Sequence, residues 1–533
     1  MRPLTIRLLA VLLCAALLLP FAGCQQDSPY DKGFRIPLLA EPEQLDPQVC
    51  ADEASRTVVL SLFEGLTRLD ENGRVVAGAA SGWEIDKDGL VYTFTLGDGR
   101  WSDGTPVTAA DFVYGFRRAV DPATGSALGR IAANIQGAAE ILAGKAKPET
   151  LGVTAKDDRT LEIRLKKADD EWLYTLAFPP FMPCREDFFL STNARYGLET
   201  EYVLGNGPFV LDRWSHGDSL LLIRSETYAA REAIYPERVR YMVTLTDGVP
   251  KNLANGTLDV GEITPEEVTA AEEAGARVVD MSDTVQYLWF NTTLVSLSQT
   301  AIRTALRDGI EWEGLPQALD TAGYSLATGY VAPEGLLADG TRYRNDENAM
   351  TFVSGGKDMA DRLDRGLSAA GLSAMPTLTV LCAEDAASVN LAQYVIQCWQ
   401  KNLGLYFRLE TVGENTLRAR MESGQYQIGI YACAAPGSDA PAALQAFMTG
   451  AEGNLSRFSD KSYDAAAKKA ANTGDGVRAL EQTLAAACPA VPLAFVRSYY
   501  AVAGNTEGIH IHAFDGGRFQ VRYDFRQALK YED

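Results

Sequence analysis

The clearest pattern of apolar and polar positions lies in residues 89–122, GLVYTFTLGDGRWSDGTPVTAADFVYGFRRAVDP. Tyr92, Phe94 and Leu96 alternate with Thr93 and Thr95, which predicts a strand with one buried face. The turn dipeptides Asp98-Gly99 and Asp103-Gly104 follow it. Thr108 then stands as a helix N-cap, and Asp111 three residues on favours the N-terminal turn. Phe112 and Phe116 share one face of that helix, which Asp121-Pro122 stops.

A second legible stretch is 376–411. TLTVLC, from Thr377, reads as a short strand, and Ser388 is placed to cap a helix carrying Leu391, Val395, Trp399 and Leu403 on one stripe. Gly404 supplies the C-terminal stop, and Leu405, Phe407 and Leu409 alternate as a further strand. Strand, helix and strand in this order make a βαβ unit with parallel pairing, so at least one part of the chain is α/β. Residues 311–375 show little periodicity and predict long surface loops.

The longest apolar run, Leu8 to Leu19, is not part of this fold. Arg2 and Arg7 precede it, Pro20 breaks it, and Ala22-Gly23 puts small residues before Cys24. That is a secretory signal, residues 1–23, and it is short for a membrane span. A cysteine directly after the small pair resembles a bacterial lipobox, although Phe21 stands where leucine is usual. The resemblance makes Cys24 the lipid attachment site and 24–32 a polar tether. The alternative is an ordinary signal peptide followed by an unrelated cysteine.

Composition narrows the remainder. A chain of 533 residues with 47% hydrophobic and 22% charged positions is a globular protein of two or three lobes. Its net charge of −21 and the lack of a basic stripe exclude nucleic acid as a partner. Cys50, Cys184, Cys382, Cys398, Cys433 and Cys488 show no zinc-type spacing, and either disulfides or buried thiols fit them. Three histidines, His216, His510 and His512, leave little room for histidine catalysis or a metal centre. There is no G-x-S-x-G, HExxH, Walker A or G-x-G-x-x-G motif, and no carboxylate pair stands out. No cofactor is implied and an enzyme has no residues to rest on.

WSDGTPVTAADFVYGFRRAVDP (101–122) resembles the signature of the bacterial oligopeptide/dipeptide-binding proteins of ABC importers. AEPEQLDP (40–47), SLFEGLTRLDENG (61–73), LGVTAKDDRTLEIRL (151–165), AFPPFMPCRED (177–187) and GNGPFVLDRW (205–214) follow the family order. So do YLWFNTT (287–293), SGQYQIGIY (423–431), VPLAF (491–495) and FRQALK (525–530). The similarity spans residues 33–530. It implies the two-lobed periplasmic-binding-protein fold of mixed α/β type, with an extra inserted domain and a hinged cleft between the lobes. Lobe I would collect 33–62, 186–282 and 486–533, the inserted domain 63–185, and lobe II 283–485.

The resemblance implies a monomer, anchored outside the cytoplasm through Cys24, that captures peptides in the cleft and passes them to an ABC permease. Ala51, Asp52, Glu53 and Ala54 would offer backbone groups to an extended ligand, or form an ordinary polar loop. Leu128 to Arg130 is a further candidate wall. The third segment, ACAAPGSDAP (432–441), places Cys433, Ala434 and Ala435 beside the ligand. Peptide binders of the family carry a tryptophan, an Ala-Asp-Tyr and an acidic-Pro pair here, the aspartate taking the peptide's ammonium group. In this chain the tryptophan is missing and the aspartate's place falls on Ala435 or Pro436. Asp439 then stands either as a displaced ammonium partner or as a helix cap. Rival readings are the same fold holding an oligosaccharide or a metal chelate, a ligand sensor without transport, and an exported hydrolase.

Overall fold

The computed structural model describes residues 33–38, 40–70, 74–169, 171–245, 247–319, 323–356, 358–435, 437–451, 453–513 and 523–530. The signal, the tether and Cys24 lie outside the described residues, as does Pro436.

The chain begins its fold in a four-stranded sheet. Gly33–Pro37 pairs in parallel with Arg238–Met242, which continues antiparallel to Ser219–Arg224 and then Phe209–Ser215. Phe34, Ile36, Val239, Tyr241, Leu220 and Leu222 are buried, as alternation requires. The helix Glu53–Leu62 joins this core, and Ser61 Oγ meets the Tyr241 hydroxyl at 2.9 Å. Its end explains GNGPF: the Gly207 N–H donates to Leu62 O at 2.9 Å, and a Cβ on Gly205 would stand 2.1 Å from that same oxygen. Only glycine allows so close a backbone approach.

Between the helix Glu53–Leu62 and the strand Phe209–Ser215 lies a second sheet of order Ala80–Ile85, Val91–Leu96, Thr160–Arg164, Val153–Ala155, antiparallel throughout. Tyr92, Phe94 and Leu96 face its core. The helix Ala109–Val120 starts where its cap predicts: the Thr108 N–H donates to Asp111 Oδ2 at 2.8 Å, and Trp101 Nε1 donates to the same oxygen at 3.2 Å. One carboxylate thus ties the WSDG turn to the helix. Phe112 and Phe116 are fully buried beneath it.

The largest sheet runs Val260–Ile263, Ala490–Val502, Arg277–Phe290, Ile428–Ala434, Thr379–Ala383, Arg408–Val412, with Tyr324–Leu326 added on Ala490–Val502. Arg277–Phe290 has 14 residues and spans roughly 45 Å. One end pairs, through Ala490–Val502, beside Val260–Ile263; the Asp259 N–H donates to Arg35 O at 2.9 Å, linking it to the first sheet. The other end is buried on both faces, Val285, Tyr287 and Trp289 in one core and Leu288 and Phe290 in another.

Thr379–Ala383 and Arg408–Val412 pair in parallel around the helix Ala386–Leu403, the expected βαβ unit. Gly404 closes the helix at φ 66°, but the N-cap is Asp385, not Ser388: Asp385 Oδ1 accepts the Ser388 N–H at 2.8 Å. A carboxylate three residues upstream reaches that amide, leaving Ser388 inside the first turn. Residues 327–356 carry no helix and no strand beyond isolated bridges, as expected of long loops, but the wider stretch 311–375 is not all loop or all surface. It includes the helix Met359–Ala369 and the fully buried Tyr330 and Tyr343. All six cysteines among the described residues are free thiols, five of them buried. No helix there is long and apolar enough to cross a membrane.

Candidate functional site

Strand alternation carries Asp283, Val285, Tyr287 and Trp289 to one face of Arg277–Phe290. Across the antiparallel ladder Val285 opposes Cys433 and Thr284 opposes Ala434. The chain then leaves the strand at Ala435 and returns as the helix Ala440–Gln445. Together with Tyr330, Phe447 and small residues at Ala332, Ala442, Ala443 and Ala446, these enclose an open cavity of about 350 Å³. Glu171, from the segment that follows the strand Thr160–Arg164, also lines it.

The floor is aromatic. Trp289 stacks on Phe447 with centroids 5.3 Å apart, Tyr287 lies 5.0 Å from Trp289, and Tyr330 lies 5.9 Å from Phe447 edge to face. Every polar tip is turned away and satisfied. Tyr287 Oη donates to Tyr330 O (2.8 Å), Tyr330 Oη to Ala490 O (2.8 Å) and Trp289 Nε1 to Tyr431 O (3.0 Å). Burial pushes both phenols well above their ordinary range, and pushes the Cys433 thiol up to about 12. At neutral pH these groups stay protonated, so the floor presents apolar surface and no nucleophile.

Glu481 holds this floor from below. Its carboxylate, 1 % exposed, accepts the backbone N–H of Tyr330 (2.6 Å) and Val331 (3.1 Å), the Tyr343 hydroxyl (2.9 Å) and the Arg344 guanidinium. Arg344 in turn donates to Val331 O at 3.0 Å and Thr328 O at 2.9 Å. The aperiodic segment around Tyr330 is therefore ordered by charge-assisted bonds to its backbone rather than by a ladder.

Of the residues expected at the ligand, Cys433, Ala434 and Ala435 line this cavity. Asp52 is the N-cap of Glu53–Leu62, its Oδ1 accepting the Ser55 N–H at 2.7 Å, while its Oδ2 is buried without a hydrogen-bond partner among the described residues. Ala51 O accepts from Arg56, and Glu53 is exposed in the first turn. Leu128 precedes the 3-10 turn Gly129–Asn134, with Arg130 exposed. Asp439 occupies the N-cap position of Ala440–Gln445 without a side-chain cap bond and accepts from Asn472 Nδ2 at 3.2 Å instead. None of these six lines the cavity. The residues that sequence reading missed are Asp283, Tyr287, Trp289, Tyr330, Phe447 and Glu171. The i, i+2 spacing of 283, 285, 287 and 289 was the available signal.

A larger groove, about 870 Å³, lies elsewhere, between Gln44 to Val49, the helix Ala109–Val120 and Glu186 to Leu198. Its buried arginine is already engaged: Arg118 donates to Asp46 Oδ1 (3.0 Å), Asp46 Oδ2 (2.6 Å) and Gln48 Oε1 (2.6 Å), and lies 4.0 Å over the Phe189 ring. Among the described residues no group of three or more His, Cys, Asp or Glu is placed to hold a metal.

Comparison with known proteins places this arrangement. The family described as "Bacterial extracellular solute-binding proteins, family 5 Middle" matches residues 74–454. The "Dipeptide-binding protein DppE" of Bacillus subtilis is 26% identical over 483 residues, 89% of this chain and 88% of that protein. The "Probable deoxycholate-binding periplasmic protein YgiS" of Escherichia coli is 28% identical over 461 residues, 84% of this chain and 83% of that one. Among solved structures, the unliganded open form of the periplasmic murein tripeptide-binding protein MppA superposes with TM-score 0.76 at 25% identity, covering 94% of this chain and 98% of that one. The chain belongs to the bacterial extracellular solute-binding proteins of family 5, and its fold is the two-lobed α/β fold of the periplasmic peptide-binding proteins.

Proposed function

We propose that this family 5 solute-binding protein captures peptides in the cavity above Tyr287, Trp289 and Phe447 and delivers them to an ABC permease. The observation that carries the reading is the cavity itself, where apolar rings and alanines from residues 285–447 are joined by Glu171 from far earlier in the chain. Ligand pockets favour boundaries between lobes. The strand Ile428–Ala434 adds support, because its ladder to Thr379–Ala383 reaches only Ile428 and Gly429. The edge beyond Gly429 on that side leaves room for an extended peptide to pair main chain to main chain.

On this reading lobe I comprises 33–62, 186–282 and 486–533, the inserted domain 63–185 and lobe II 283–485. The two long strands Arg277–Phe290 and Ala490–Val502 cross between the lobes and act as the hinge. Ala51, Asp52, Glu53, Leu128 and Arg130 form the facing wall on closure, where a ligand N–H would meet the unsatisfied Asp52 Oδ2. Ligand that favours the closed state by about 5 kcal/mol switches the population. A lipid on Cys24 holds the protein at the outer membrane face, and no chemistry is performed on the ligand.

A second reading, a non-peptide solute, draws on the similarity to the deoxycholate-binding protein. Native mass spectrometry of residues 25–533, purified gently from a lysate, separates the two. Added masses that fragment as short peptides support peptide capture. A single non-peptide mass overturns it.

A further inference from the structure

One wall of the larger groove, that of about 870 Å³, is a free sheet edge. Val153–Ala155 is the last strand of its four-stranded sheet and pairs only with Thr160–Arg164. Two bonds of 2.8 Å fix the alternation of that ladder: Arg164 N–H donates to Gly152 O, and Lys156 N–H to Thr160 O. Gly152, Thr154 and Lys156 therefore face the neighbouring strand, and Val153 and Ala155 turn their main-chain groups outward. The Val153 N–H is used locally, donating to Leu151 O at 2.7 Å. Val153 O, Ala155 N–H and Ala155 O have no hydrogen-bond partner among the described residues. All three residues of the strand line the groove.

The facing surface comes from the helix Ala109–Val120. Ala110, Val113, Tyr114 and Arg117, spaced i, i+3, i+4 and i+7, turn one helix face to the groove. Phe189 packs edge-on against Tyr114 with centroids 5.9 Å apart, so this face is largely apolar. The charges that line the groove are unbalanced. Arg118 and Asp46 neutralise each other, which leaves Asp121, Glu149 and Glu186 against Arg117 alone. Glu149 and Glu186 are exposed, and Lys156, beside the strand, is held by Glu162 at 3.1 Å.

We propose that this groove docks an extended, basic segment of a partner protein, which adds as a further strand to the edge Val153–Ala155. Outward main-chain groups at every second residue match the main chain of an extended polypeptide. Alternate side chains of that segment point to the helix face, where Val113 and the Tyr114–Phe189 pair favour apolar residues. The side chains between them reach the rim carboxylates, which favour lysine or arginine. The groove and the cavity beside Trp289 share no lining residue, so the partner docks whether or not a solute is held. The proposal goes beyond solute capture and stands independently of it.

The test measures fluorescence anisotropy of labelled, N-acetylated hexapeptide amides on residues 25–533. The probes are alternating Val/Lys, alternating Val/Glu, and a Val/Lys form methylated at every main-chain amide. The Val/Lys probe should bind about tenfold or more tightly than either of the others, and should weaken as salt is raised. Ala155→Pro should cost about tenfold, because it removes the outward N–H and leaves the ladder to Thr160–Arg164 whole. Ala435→Trp, which fills the cavity beside Trp289, should leave Val/Lys binding unchanged. Absent Val/Lys binding, equal binding of the three probes, or unchanged affinity in Ala155→Pro overturns the proposal. So does loss of Val/Lys binding in Ala435→Trp, which would place the probe in the cavity instead. Where Ala155→Pro fails to fold, the exposed pair Glu149→Lys and Glu186→Lys carries the same test, and unchanged Val/Lys affinity there overturns it.

Discussion

Two hollows of the molecule invite comparison, and the larger of the pair is the poorer candidate for ligand capture. The groove of about 870 Å³ beside Arg118 is rich in charge, yet its buried guanidinium is saturated by Asp46, Gln48 and Phe189. The cavity of about 350 Å³ beside Trp289 has the opposite construction. Its phenols and indole bond outward into the protein, leaving ring faces towards the opening. Volume alone does not identify a site; what matters is which surface the fold leaves facing the opening. Each hollow has a buried ion pair beneath it, Arg118–Asp46 or Arg344–Glu481, and these pairs allow the difference to be tested.

The largest expected effect comes from breaking each pair. Asp46→Asn and Glu481→Gln should each destabilise by about 3–5 kcal/mol in urea unfolding, because each leaves a buried guanidinium uncompensated. Only Glu481→Gln should also weaken peptide binding by the protein that remains folded, since Tyr330 loses its anchor. Equal losses of affinity in both variants would erase the distinction between the hollows.

Filling the smaller hollow comes next. Ala435→Trp should place a ring into the cavity and lower peptide affinity about a hundredfold, or about 2.7 kcal/mol, with little change in melting temperature. A bulky residue at Ala123, on the rim of the larger groove, should leave affinity unchanged.

Acid separates the two regions less strongly. Asp524 lies outside the cleft cavity, and although burial opposes its charge, the Arg526 guanidinium holds its carboxyl down to about 2. Its folded value lies below the unfolded one, so its contribution is present above about pH 4 and is lost as pH falls through 2. Asp524→Asn should remove about 1 kcal/mol of the stability difference between pH 6 and pH 3, read from unfolding curves at those two values.

The smallest effect lies at His216. Its hydrogen bond to Glu41, at 2.9 Å, raises its pKa, with Glu199 adding to the effect against slight desolvation. The folded value lies above the unfolded one, so the contribution is full below about pH 6 and fades as pH rises through the folded value. Half-exposed and screened, the group should shift the melting temperature only slightly between pH 6 and pH 8, and His216→Gln should abolish that slope.

Much of the scaffold was legible without coordinates. Alternation at Tyr92, Phe94 and Leu96, the Thr108–Asp111 cap, the stripe Leu391, Val395, Trp399 and Leu403 and the Gly404 stop are consequences of local geometry, and the structure contains each. The cap at Asp385 was missed because Ser388 offered a competing capping residue in the same turn. At the candidate cavity, family resemblance pointed to the segment Cys433 to Ala435, while Asp283, Tyr287 and Trp289 carried a readable spacing of two that gave no sign of what lies across from it.

What the sequence determined by itself was therefore the set of elements and the family pattern, because periodicity, caps and turn residues act over a few positions. The tertiary structure alone assembled the candidate cavity. Val285 meets Cys433 only through strand register, and Tyr330 is held by Glu481, Phe447 and Ala490 from far along the chain. Such contacts cross long stretches of chain and depend on which buried charges find partners, a choice that no local pattern encodes.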